Sequence, residues 1–432
     1  MTVKPRVPEL LRRPDFGRFW TGQTISLFGD QVTLIALPLA AVLVLHARAA
    51  QMGYLTAAAL APHLLFSIHA GAFVDRWGRR RVTMIVADVL RALLVATIPL
   101  AYALDALSLA HLYVVAFLIG TLSVFFSVAD AGLFVALVRR DDYVQANSLL
   151  NGSRAFSFVA GPSVGGILVQ LLKAPFALLV DALSYLASAF FLLRIAPAEP
   201  STEQAESGHV TAGLRYIARS PVVRTSLGAT ATINFFNFVF FALFILYATR
   251  SLHVRPGTLG LVLGAGAVGG LIGSAITGRI GRRIGIGPAF ILGCALFPAP
   301  LLLVPAAGGP KPVVLACLFL AEFGSGLGVM ILDISVGSIF AALVPDRLRS
   351  RVSGAYSVVN YGVRPLGSLA GGALGAWIGL RPTLWIATAG ALLGVLWFVG
   401  SPLPALRELP AKTEEGQPTP AETDALRSAS PV

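Results

Sequence analysis

Charge is scarce in this sequence. Only 12% of its 432 residues are Asp, Glu, Lys or Arg, against roughly a quarter in a soluble globular domain. Cysteine is scarcer still: Cys294 and Cys317 stand far apart in apolar stretches, so neither a disulfide framework nor a metal cluster is implied. No phosphate-binding G-x-x-x-x-G-K-[ST] run occurs, which argues against ATP hydrolysis by this chain. No acid, base and nucleophile gather outside the apolar stretches, so neither cofactor, metal nor enzymatic activity is expected. What is abundant is apolar: 56% hydrophobic residues and a mean hydropathy of +0.78. That excludes a disordered chain, a nucleic-acid-binding domain and an ordinary cytosolic enzyme. A soluble fold cannot hide so much apolar surface. Lipid must be the main solvent.

A membrane-crossing helix needs about 20 largely apolar residues. By that measure there are twelve spans, with first-half spans at 19–45, 52–73, 82–104, 108–134, 146–172 and 175–194. The second half has 223–248, 257–278, 286–306, 312–339, 351–379 and 381–401. None alternates as a barrel strand would, so an all-α membrane protein of two six-helix bundles is expected. The bundles cover 1–194 and 223–402, joined by a cytoplasmic linker over 195–222 and followed by a disordered cytoplasmic tail over 403–432. In the linker, Val210, Leu214 and Ile217 recur at helical spacing and predict a short helix at the membrane interface.

The net charge of +12 carries an orientation signal. With both termini inside, the inner loops hold about 25 of the 33 basic residues. The outer loops hold Arg48, Lys173, Arg250, Arg255, Lys311 and Arg381, while Arg91 and Arg364 fall within spans. The basic start (Lys4, Arg6, Arg12, Arg13) leads into a long span without a small-residue cleavage site, so no cleaved signal peptide is expected. The halves also repeat. Arg76, Gly78, Arg79 and Arg80 map onto Arg279, Gly281, Arg282 and Arg283 at one offset of 203 residues, which Pro162 and Pro365 share. A duplicated six-helix unit places a path near the midplane between two halves, which favours a transporter over a channel or a receptor.

The run Gly71-Ala72-Phe73-Val74-Asp75-Arg76-Trp77-Gly78-Arg79-Arg80-Arg81 resembles the signature loop of the major facilitator superfamily. More narrowly, the chain resembles the branch containing enterobactin exporters and macrolide efflux proteins. The residues concerned include Phe16, Phe19, Trp20, Gly22, Gln23, Ser26, Gly29 and Asp30, then Asp88 with Arg91, and Gln145-Ala146-Asn147. Gly161, Pro162, Gly165, Gly166 and Gly213-Leu214-Arg215-Tyr216 extend the likeness over nearly the whole chain. The resemblance implies the major facilitator fold in the cell inner membrane and a secondary transporter. It implies in particular a proton-coupled exporter of a small hydrophobic or amphipathic molecule working by alternating access, as a monomer without nucleic-acid partners. A proton-coupled nutrient importer and a lipid flippase are the alternatives, since fold does not fix function. One departure stands out: span 4 lacks the mid-span arginine of many proton-coupled drug exporters, a charge that Arg91 on span 3 would have to supply.

Individual residues then take roles. Gly71, Asp75, Arg76, Gly78 and Arg79 form a conformational latch or a simple topology anchor, with Gly78 permitting the turn and Asp130 a candidate partner for Arg79. The latch is asymmetric, because Gly278 stands where Asp75 would repeat. Gly161 and Gly165 lie four apart on one face and admit a close helix neighbour, while Pro162 breaks the backbone bond to Phe158. The same element is linked with antiport in related exporters. A carboxylate at mid-helix costs about 2.5–3.5 kcal/mol to insert, which marks Asp30 for proton coupling or for hydrogen bonding beside Gln23 and Ser26. Asp88 and Arg91, three apart, neutralise each other as structural support or as part of that coupling. Gln23, Asp30, His63, Asn234, Asn237 and Glu322 are the candidate substrate contacts, although His63 reads more readily as a packing residue. Asp181, Glu322 and Asp333 are possible partners of Arg364, which otherwise binds an anionic substrate.

Overall fold

The computed structural model describes residues 9–196 and 210–407, and these form helices joined by short connections. The first half contains α1 (Pro14–Leu43), α2 (Ala49–Trp77), α3 (Arg80–Ala103), α4 (Leu109–Leu137), α5 (Tyr143–Leu172) and α6 (Ala174–Leu193). After α7 (Val210–Arg219) come α8 (Pro221–Arg250), α9 (Pro256–Ile284), α10 (Ile286–Leu296), the short α11 (Leu303–Ala306), α12 (Lys311–Leu343), α13 (Asp346–Trp377) and α14 (Leu380–Leu392). α10 and α11 make one crossing, Ile286–Ala306, interrupted by a 3-10 turn over Ala299–Leu302. Pro298 and Pro300 explain the interruption, since each removes a backbone donor.

Ten crossings are both long and apolar enough to span a bilayer, and α2, which bends between Ser67 and His69, makes eleven. α13 is the twelfth. Its 32 residues suffice in length, but Arg349, Arg351, Asn360 and Arg364 dilute its hydropathy. Polarity is tolerable there because α13 packs on α2, α7 and α8. Observed helices overrun the expected spans most at the signature-loop end: α9 continues to Ile284 and α13 begins at Asp346. These extra turns are rich in arginine and need no lipid.

Within the first half α1 packs on α5 and α6, and α3 on α4 and α6; within the second, α8 packs on α13 and α14, and α9 on α12. The halves meet along two seams, α5 with α9 and α2 with α13. Both seams close through glycine, which lets backbones touch. A Cβ on Gly166 would stand 2.9 Å from Gly260 Cα, and one on Gly53 would stand 2.8 Å from Gly372 Cα. Both contacts lie at the helix ends remote from the signature loop.

The helix expected in the linker is α7. Tyr216 donates from its hydroxyl to the Leu343 carbonyl at 2.7 Å, and Ile217 is buried with Val223, Val344 and Val352. Thus α7 docks on the second half. Linker residues 197–209, with Glu199, Glu203 and Glu206, and tail residues 408–432 lie outside the described residues.

Candidate functional site

Three helices of the first half converge on a charged cluster. Asp88 and Arg91 of α3 pair directly, and both are buried. The Arg91 guanidinium carbon sits 4.3 Å from the Phe126 ring centre and 4.4 Å from that of Tyr185. The Tyr185 hydroxyl donates to Asp30 Oδ1 on α1 at 2.5 Å. Asp181, one turn before Tyr185 on α6, accepts from Thr33 and from Ser184 at 3.0 Å. Gly29 permits this approach: a Cβ there would collide with Asp181 and Ser184. Asp88, Arg91 and Asp181 are fully enclosed, whereas Asp30 keeps part of its surface accessible. Three carboxylates share one cation. Such charge in a membrane interior is functional by default.

At the signature loop, Gly78 takes the left-handed conformation (φ +67°) that ends α2. The repeat is not obeyed at this point. α9 runs straight through Gly278 and Gly281 and turns at Gly285 (φ +95°). The expected pairing of Asp130 with Arg79 is absent among the described residues: Asp130 accepts from Gln23 Nε2 at 2.6 Å, and Arg79 lies exposed at the start of α3. Arg79 precedes the first residue of α3 and is exposed, while the neighbouring Arg80 takes the inward place. Arg80 pairs with Asp75 at 3.5 Å and lies against Gly132 of α4. Gly71 has no neighbour within 4 Å of a Cβ, so packing does not require it. Arg76 is exposed.

The α5 motif faces two ways. Gly161 and Gly165 lie against Gln31 and Val32 of α1, while Gly166 and the Pro162 carbonyl meet Gly260 of α9. On the signature-loop side of this contact, α5 and α9 line an open cavity of about 620 Å³ together with α8 and α12. Its walls are apolar: Leu34, Phe158, Phe241, Phe244, Leu263 and Met330 among others. Glu322 of α12 faces it, with Asn151 and Arg154 on its α5 wall.

Behind the second seam, within the second half, α13 is held by an aromatic and polar ladder. Along the α8–α13 contact, Thr230 bonds the Tyr356 hydroxyl at 2.7 Å and Asn234 donates to Asn360 at 3.0 Å. One turn on, the Arg364 guanidinium lies 5.2 Å from the Phe238 ring centre. Asn234 is therefore committed to α13, and no hydrogen bond holds the Asn237 side chain among the described residues. His63 of α2 stacks on Tyr361 across the seam, 6.0 Å between ring centres. Sequence reasoning missed this ladder and the Asp30–Tyr185 bond. The ladder had a signal, since 230/234/238 and 356/360/364 both step by four; the bond had none, because Asp30 and Tyr185 are 155 residues apart.

Two seams between the halves, a repeated six-helix unit and charge buried between helices are the architecture of a membrane transport protein. The Major Facilitator Superfamily profile matches residues 19–367, and the chain belongs to that family. The multidrug efflux pump Tap of Mycolicibacterium fortuitum is 30% identical over 406 residues, covering 88% of this chain and 93% of that protein. The uncharacterized MFS-type transporter YfiS of Bacillus subtilis (strain 168) is 26% identical over 412 residues, 91% and 95% of the two chains. Among solved structures, the nucleoside transporter NupG superposes with a TM-score of 0.69 at 13% identity over 89% of this chain and 98% of that one. A bacterial homologue of the iron transporter ferroportin, in an inward-facing state, gives 0.70 at 18% identity over 91% and 99%. These last two speak for the fold. The chain is thus a multi-pass membrane transporter of small molecules.

Proposed function

We propose that this protein exports a small amphipathic molecule across the cytoplasmic membrane in exchange for protons. The observation that carries this reading is the apolar cavity of about 620 Å³ with its single carboxylate, Glu322. Its size and lining suit a drug-sized ligand, and the likeness to Tap multidrug efflux pumps supports the direction. With the arginine-rich loops and both termini in the cytoplasm, the closed seams face outward and the cavity faces the cell. Residues 1–194 and 223–402 rock as two bundles, the Asp75–Arg80 pair acts as a latch, and the Gly161–Gly166 motif is the pivot on α5.

Protons are handled in the first half. Asp30, the one cluster charge that keeps some accessible surface, is assigned the exchangeable proton, with Asp88, Arg91 and Asp181 holding the charge balance behind it. A proton crossing 100 mV supplies about 2.3 kcal/mol, enough for modest accumulation. The protein works as a monomer, since each chain contains both halves of the path.

The test is reconstitution into liposomes with an acidic lumen and external ethidium. Proton exit is expected to drive dye inward, and collapsing the pH gradient is expected to abolish accumulation. Dye accumulation indifferent to the gradient would contradict proton antiport.

A further inference from the structure

Arg364 is the unexplained charge. It sits on α13 between the closed part of the second seam, where Ser368 and Gly372 meet Gly53, and the open end. No carboxylate lies within ion-pair distance of it among the described residues. Asp333 acts on it only through longer-range attraction, and Glu322 belongs to the cavity on the α5–α9 seam. Its Nε is buried without a hydrogen-bond partner, and so is Nδ1 of His63 opposite. An unpartnered guanidinium in a membrane interior is expensive to keep, and Asp88 shows what this chain does with an arginine meant for structure.

The surroundings say what would complete it. The guanidinium is held against two rings, Tyr361 at 4.3 Å and Phe238 at 5.2 Å between its carbon and the ring centres. Rings satisfy the cation through its faces, but the N–H groups point outward in its plane and remain unspent. A coplanar, two-oxygen acceptor matches that fork, as carboxylates do. Tyr361, 41% exposed, offers an open aromatic surface beside it and carries the His63 ring on the other side of the seam.

We propose that Arg364 anchors the acidic group of an aromatic organic anion, whose ring system packs on Tyr361 and Phe238 and whose far oxygen reaches His63. This deepens the export reading and rests on it for the direction of travel: among amphipathic cargoes, those with an acidic group place it on the α2–α13 seam. Because His63 belongs to the first half and Arg364 to the second, such a ligand ties the two halves together at one point.

Binding separates this proposal from export, since it requires no transport. Fluorescein, an aromatic carboxylate, and ethidium, a permanent cation of similar breadth, are titrated into purified protein in nanodiscs and followed by fluorescence anisotropy. Fluorescein is expected to bind the wild type and to weaken at least about tenfold in Arg364→Gln, as loss of a charge-assisted bond dictates. Arg364→Lys is expected to recover part of that loss. Ethidium binding, expected to change less than about twofold, reports that the variant is folded. Failure of the wild type to bind fluorescein, equal binding by Arg364→Gln, or parallel loss of both dyes would each overturn the proposal. Fluorescein binding through Arg364 without any gradient-driven transport would instead leave the site standing and overturn the export reading.

Discussion

The two halves descend from one repeated unit, yet they treat charge in opposite ways. The first half buries Asp88, Arg91 and Asp181 among its own helices and ties them to Asp30 through Tyr185. The second half has no comparable interior cluster among the described residues. Of its intramembrane ionisable groups, Glu322 and Arg364 sit at the seams, and neither they nor Asp333 makes an ion pair among the described residues. In the proposed mechanism the enclosed, mutually bonded charge holds protons and the unpaired charge at the seams meets cargo.

The sharpest way to break this contrast is to remove each arginine. Arg91→Leu strands Asp88 in the bundle and is expected to cost about 3–5 kcal/mol. Arg364→Leu strands no partner and is expected to leave stability unchanged or raised. Thermal unfolding in detergent measures both, and equal losses would erase the distinction. The seams come next. Gly260→Leu forces a side chain into the Gly166 backbone, an overpacking worth about 1–3 kcal/mol, and is expected to halt transport; Gly71→Ala, with open space around it, is expected to transport normally. The dye assay in liposomes distinguishes them.

The smallest effects compare the two signature loops. Gly78→Ala pays for a left-handed backbone, about 1–2 kcal/mol. Gly281→Ala, inside α9, is expected to be neutral or to stabilise by up to about 1 kcal/mol. If both behave alike in unfolding measurements, the two loops are equivalent after all.

That last pair also shows where the sequence was readable and where it was not. The 203-residue repeat equates Gly78 with Gly281, but only Gly78 ends a helix, because α9 has a better turn glycine four residues later at Gly285. Span positions were legible since hydrophobicity alone fixes them in lipid, and even α7 announced itself through Val210, Leu214 and Ile217. α13 was found by its apolar remainder despite its polar seam face. Partners were the illegible part. Asp30, Asp88, Arg91 and Asp181 each stand out as costly, but their convergence depends on α1, α3 and α6 meeting, and Gly29 gives no hint of its neighbour Asp181. Likewise Asp130 was matched to Arg79 by charge, while helix geometry gave it Gln23.

The division of labour between the halves stands or falls on Asp30. In liposomes, Asp30→Asn is expected to exchange ethidium across the membrane at near wild-type rate when no pH gradient is imposed, because the cavity and seams are untouched. The same variant is expected to accumulate no dye against a concentration difference when the lumen is acidic. Accumulation equal to wild type, or loss of exchange together with accumulation, would contradict a proton site in the first-half cluster that is separate from the cargo cavity on the α5–α9 seam.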